Sequence, residues 1–413
     1  MTRITVQEKQ ILRRLAAEYM EAADSPAQRE RVQLWKALNR SRMQRPMVCI
    51  DQLPWSELEC EELRCRVSDP FWRRVEEQLR RELYKFSRFP VDMVLNPFLM
   101  IPKSIGCTGY GLQVDVERRS VDGNTDVYAQ HFENQLPEPE DIAKIQDMHF
   151  TYDRLQTEEN LEQAHRIFDG IAPVVSGGGP QFHLGVWDQL SMYMGVENIY
   201  YDLMDRPEFL HACMRRMTDS VLNGIREANA LGITETNYNT CHCSYIYTDD
   251  LLPDSGKGGA PNSRNTWAFG LAQLFSSCSP ETTKEFEIPY ITEMAKQFGA
   301  IYYGCCDRLD DRLELVRQIP NVRKVSCSPW SDREHFAERI GSTLIMSNKP
   351  NPALLAGDSF DEAAVREDLQ RTVQAARANS VNLELILKDI STVRHDPSRL
   401  TRWGEIAMQV VQQ

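Results

Sequence analysis

Three short clusters in this 413-residue chain combine thiols, an imidazole, carboxylates and amines. The apolar run Ala300-Ile301-Tyr302-Tyr303-Gly304 ends in Cys305-Cys306-Asp307, two adjacent thiols and a carboxylate. Cys is a common interior residue, so packing alone accounts for one reduced thiol; once deprotonated, a thiol is a nucleophile. Lys349 and the pair Lys388-Asp389 close two further apolar runs. A lysine there can hold a phosphate or carboxylate, or form a Schiff base if desolvated. Asp51 ends a fourth run and can serve as general base, as substrate clamp, or as the ion-pair partner of one of those lysines. In Cys241-His242-Cys243 the alternation of an extended segment puts only the two thiols on one face.

These residues need elements to position them. Apolar runs of strand length alternate with helical segments and count eight: 45–52, 90–100, 172–180, 232–239, 300–304, 322–328, 343–349 and 382–389. Asp69-Pro70, Ser279-Pro280, Ser331-Asp332-Arg333-Glu334 and Ser359-Phe360-Asp361-Glu362 mark helix starts between them. The pattern predicts an α/β fold, a (β/α)8 TIM-type barrel over residues 45–413, with a helical N-terminal extension over 1–44. Glycines and alternating residues over 105–135 predict a β-hairpin inserted after strand two. The polar, glycine-rich stretch 240–266 predicts a long, lid-like loop. Strand C-terminal ends line the site in such barrels, which adds Asn96, Asn237, Asn239 and Ser328, with Trp330 beside it, as candidate substrate-binding residues.

Composition narrows the function classes. The net charge of −13 opposes nucleic acid as a partner, because phosphate binding needs a basic stripe. No apolar run approaches the roughly 20 residues of a membrane span, so no membrane partner is expected. The eleven cysteines are odd in number and irregularly spaced, and the chain starts without an apolar signal segment. That combination predicts a cytoplasmic protein with reduced thiols.

Several stretches resemble one family, the uroporphyrinogen decarboxylase superfamily, which includes the tetrapyrrole decarboxylase and corrinoid-linked methyltransferases. They are Tyr193-Met194-Gly195-Val196-Glu197-Asn198, Tyr201-Asp202-Leu203-Met204-Asp205-Arg206-Pro207-Glu208, Ser279-Pro280-Glu281 with Glu285-Phe286 and Pro289-Tyr290, Gly304-Cys305-Cys306-Asp307, Ser328-Pro329-Trp330 and Lys349-Pro350-Asn351-Pro352. The turn after the first strand, Cys49-Ile50-Asp51-Gln52-Leu53-Pro54-Trp55, holds none of the arginines with which the decarboxylases bind carboxylates. The resemblance to the methyltransferase branch implies a Zn²⁺-thiolate site at Cys305 and Cys306; Asp307 and His242 are the further candidate metal ligands by residue type, with Cys243, Cys327 and Glu384 as other donors, and Asp51, Lys349, Lys388 and Asp389 are the catalytic candidates from their strand-end positions. It further implies a small-molecule substrate, a corrinoid carried by a partner protein and a homodimer. The expected activity is methyl transfer between a small substrate or thiol and that corrinoid. The alternatives are a decarboxylase or lyase acting on a tetrapyrrole or small organic acid, and a tetrapyrrole- or corrinoid-binding protein without turnover.

Overall fold

The structure is a computed structural model that describes residues 4–120, 128–235, 240–253 and 261–413. Among these, no helix is long and apolar enough to cross a membrane. The chain opens with the helix Val6–Ala23, where Thr5 and Glu8 form a reciprocal capping box, and the helix Pro26–Asn39, which has proline in its first turn. Asn39 donates from Nδ2 to the carbonyls of Tyr245 and Tyr247 at 3.0 and 2.8 Å, and Trp35 donates to Asp92 O at 2.9 Å.

Six of the described strands form one parallel sheet in the order Met47–Ile50, Asn382–Leu387, Ile345–Asn348, Val322–Cys327, Ala300–Tyr303, Trp267–Gly270. The first strand therefore lies against the last. Parallel neighbours need long crossovers, and helices such as Arg333–Ile340 and Glu362–Ala378 supply them, each started by an aspartate cap, Asp332 or Asp361. Most residues of these strands are buried, as expected of parallel strands covered on both faces. Leu99–Pro102 and Val174–Gly177 make a separate parallel pair. The fold is thus mixed α/β around a central six-stranded parallel sheet. Val116–Ser120 and Tyr128–Phe132 pair antiparallel within the 105–135 stretch.

Two strands lie elsewhere than the sequence predicts. The second expected run, 90–100, becomes a strand only at Leu99–Pro102, because Asp92 is recruited by Arg45 in a bidentate ion pair at 2.8 and 2.6 Å and by Val48 N at 2.9 Å. Asn96 consequently precedes the strand instead of ending it. The sheet neighbour of Ala300–Tyr303 is Trp267–Gly270, not 232–239; residues 236–239, with Asn237 and Asn239, lie outside the described residues.

The first part of the expected lid is interior. Thr240–Cys241 and Ser244–Tyr245 form a tight antiparallel turn, and Cys241 and the run from Cys243 to Thr248 are buried. Polar residues are accommodated there because the sheet satisfies them. The Lys324 ammonium, fully buried, contacts the Ser244 hydroxyl, the Tyr245 carbonyl at 3.2 Å and Glu384 at 2.7 Å. Glu384 also accepts from Ser244 at 2.8 Å. Removing one member of such a pair strands a buried charge, whereas replacing both with apolar groups does not. Lys324→Met should cost about 3–5 kcal/mol in denaturant unfolding, and Lys324→Met with Glu384→Met should recover most of that loss.

Candidate active site

Cys305 is placed by backbone constraints on both sides of it. The buried strand Ala300–Tyr303 gives way to Gly304 at φ +89°, where an added Cβ would stand 2.5 Å from Leu309 Cδ1. Only glycine takes that turn without strain. Beyond it the Asp307 carboxylate accepts from Cys305 N at 2.7 Å, and the Ser326 hydroxyl donates to Cys305 O at 2.6 Å. Asp307 is buried and acts on the backbone of the thiol-bearing residue.

Two other segments converge on the sulfur. Asn382–Leu387 leads directly into Lys388, whose side chain is buried and whose Nζ lies 2.8 Å from Cys305 Sγ. His242 sits at the tip of the interior turn with φ +55°, its ring stacked on Phe269 at 4.0 Å between centroids. Its Nε2 is 3.3 Å from Cys305 Sγ and 2.9 Å from Lys388 Nζ. Cys306 Sγ lies 3.5 Å from Cys305 Sγ and donates to Asp389 Oδ2 at 2.8 Å; Lys388 Nζ is 3.2 Å from the same oxygen. Asp389, at φ +54°, is the solvent-facing member of the group.

The electrostatics favour a thiolate on Cys305. Its hydrogen bond with Cys306, together with His242 and the Lys388 ammonium, outweighs burial and lowers the thiol to about 3. Cys306 is pushed far up by that same hydrogen bond and by burial, so the proton stays on Cys306. For Lys388 burial opposes the charge, but Cys243, Cys305, Cys306 and Asp389 together raise it. Burial likewise opposes His242, and its cysteine neighbours raise it to about 9. Both groups are thus held in their charged forms, so across 2.9 Å the His242 Nε2 proton is directed to the Cys305 sulfur and not to Lys388; His242 can give that proton to a leaving group while the ammonium charge holds the sulfur. Behind the cysteine turn lies a second layer of acids. Burial raises Asp188 to about 7, with Asp307 and Cys305 adding to it, and burial raises Glu287 and Asp307 as well.

The remaining expected residues divide among four places. Lys349 is buried but turned to the sheet, bonded to the Ser347 hydroxyl at 2.6 Å and to the Tyr302 hydroxyl, which in turn meets Ser347 at 2.8 Å and Cys243 Sγ at 3.7 Å. Asp51 N donates to Leu387 O at 2.9 Å, next to Lys388, yet its carboxylate pairs with Lys85 at 3.8 Å. Ser328 is buried with its hydroxyl 3.2 Å from Ser331, whereas Trp330 is 71% exposed. Asn96 belongs with the N-terminal helices: its N–H donates to the Tyr19 hydroxyl at 3.0 Å, and Tyr247 donates to its Oδ1 at 2.8 Å.

Cys305, Cys306 and Asp389 offer donor atoms within 4.8 Å of one another. The third donor is therefore Asp389, where the sequence suggested Asp307. The donor types suit Zn²⁺, but the Lys388 ammonium already touches Cys305, His242 and Asp389. A divalent cation there would meet a buried positive charge and break those contacts. The residues present do not fit the metal. Lys324 and Tyr302 were not singled out from the sequence, although residues two apart on a strand share a face, which links Glu384 to Lys388 and Lys324 to Ser326.

No protein family model matches the chain, and no curated protein is similar to it. Among solved structures, a methyltransferase from Methanosarcina mazei is similar at 10% identity and a TM-score of 0.48, over 91% of this chain and 97% of that one. The chemistry of the site rests on its own atoms. Gly304→Ala should lower stability by about 1–3 kcal/mol through left-handed strain. It should also slow Cys305 alkylation, measured by peptide mass spectrometry, more than alkylation of the exposed Cys60 and Cys107.

Proposed function

We propose that this chain is a methyltransferase in which Cys305 is the nucleophile, moving a methyl group between a small substrate or thiol and a corrinoid. The observation that carries the reading is the Cys305 sulfur held 2.8 Å from a buried ammonium at the C-terminal end of a parallel strand. In the step the thiolate attacks the methyl carbon. An S–C bond forms as the bond from carbon to the leaving group breaks, the electron pair departs with that group, and the His242 Nε2 proton neutralises it while Lys388 stays charged. Return of the methyl group to an acceptor regenerates the thiolate, whose charge Lys388 stabilises. In this reading the ammonium fills the electrostatic role that the resemblance gives to Zn²⁺.

A closed (β/α)8 barrel is supported by the pairing of the first sheet strand with the last, and by the parallel pair Leu99–Pro102 and Val174–Gly177, which supplies two more strands. The corrinoid on a partner protein and the homodimer are proposed from the family resemblance alone. Decarboxylation of a tetrapyrrole has less support, since a polycarboxylate substrate would meet Asp51 and no arginine in residues 49–55.

The test is transfer of an isotope-labelled methyl group from methylcobalamin to a panel of small thiols, with and without a zinc chelator. We expect transfer that falls more than about 100-fold in Cys305→Ser and is insensitive to chelator. Equal rates in wild type and Cys305→Ser, or abolition by chelator, would contradict the proposal.

A further inference from the structure

The methyl-transfer step leaves Cys306 unused, although its sulfur is 3.5 Å from that of Cys305 and it donates to Asp389 at 2.8 Å. A nucleophilic sulfur, a neighbouring thiol and a base on that thiol are the parts of a two-electron redox centre. We propose that Cys305 and Cys306 together reduce a hydroperoxide, Cys305 attacking and Cys306 resolving, and that the resulting disulfide between neighbours halts methyl transfer while it lasts. The inference rests on Cys305 being the nucleophile of the preceding section, and extends that site to an oxidant of a different class.

The atoms balance in two steps. The Cys305 thiolate attacks the terminal oxygen of the hydroperoxide; an S–O bond forms, the O–O bond breaks, and the alkoxide leaves as the alcohol with the proton from His242 Nε2. Sulfur is oxidised by two electrons to a sulfenic acid and the peroxide is reduced. Asp389 then takes the Cys306 thiol proton, the Cys306 sulfur attacks Cys305 Sγ, the S–O bond breaks, and the leaving hydroxide takes that proton from Asp389 and departs as water. Regeneration needs an external dithiol, which exchanges with the disulfide and is itself oxidised.

Three observations favour this pair over the other thiols. Cys306 is half-buried and Asp389 is solvent-facing, so the mouth of the cluster admits a small oxidant and releases water. Cys305 is pinned through Gly304, Asp307 and Ser326, which leaves side-chain rotation to bring the sulfurs together. Neighbouring Cα atoms stand about 3.8 Å apart, below the roughly 4.4–6.8 Å of most bridged cysteines. The closed ring is therefore strained and readily reduced, as a reversible centre requires.

The experiment treats the full chain with one equivalent of tert-butyl hydroperoxide and follows intact mass and peptide maps, with iodoacetamide labelling of an untreated sample as control. The expected product is about 2 Da lighter, cross-linked between Cys305 and Cys306, and restored by dithiothreitol together with methyl transfer. Cys306→Ser should instead accumulate a dimedone-reactive sulfenic acid on Cys305, and Asp389→Asn should slow disulfide formation roughly tenfold or more. Oxidation at Cys60 or Cys107 with Cys305 untouched would overturn the inference. If Cys305 is alkylated but never oxidised, the redox centre is wrong and the nucleophile stands; if it does neither, both readings fall.

Discussion

The site depends on one contact, a buried ammonium 2.8 Å from a buried sulfur. Neither charge is stable in that place alone, because an isolated ion in a protein interior loses its solvation without compensation. Together they hold each other's ionised form, and the surrounding geometry keeps them in reach. Gly304 turns the chain so that Cys305 faces Lys388, Asp307 and Ser326 fix its backbone, and the interior turn brings His242 to both.

That contact is the outermost part of a polar network running into the sheet. Beneath it Lys349, Tyr302 and Ser347 share hydrogen bonds with Cys243 near the Tyr302 hydroxyl, and further in the Lys324–Glu384 ion pair and the Ser244 hydroxyl form a closed triad. Two of these groups, Cys243 and Ser244, come from the segment that carries His242. The interior network therefore anchors the imidazole, and loosening the triad would be felt at the sulfur. The acids Asp188, Glu287 and Asp307 lie behind the turn with their protons favoured by burial, which limits the negative charge near the thiolate.

Much of this was readable from residue order. A strand running into Cys305-Cys306-Asp307 and another into Lys388-Asp389 are local patterns, and parallel pairing across the sheet places both strand ends on one side. The role of 240–248 was not readable, because glycine content and polarity describe a surface loop until the partners of each polar group are known. Lys324 and Glu384 are sixty residues apart, and only their register across the sheet reveals the pair. Asn96 was misplaced for a similar reason: Asp92 answers to Arg45, a partner outside its own segment, and the strand starts later. The exchange of Asp307 for Asp389 beside the thiols is a matter of side-chain direction that a strand-end count does not resolve.

The most direct test of the account is the ultraviolet thiolate absorbance of the folded protein as a function of pH, taken as the difference between wild type and Cys305→Ser. Because the Cys305 pKa is lowered in the folded state, its thiolate is present above that pKa and is lost only as pH falls through it. The expected difference spectrum shows one thiolate that persists unchanged from about pH 9 to about pH 5, and Lys388→Met moves its titration upward. A difference signal that appears only on raising the pH through about 8.5, the range of a free thiol, would contradict the account.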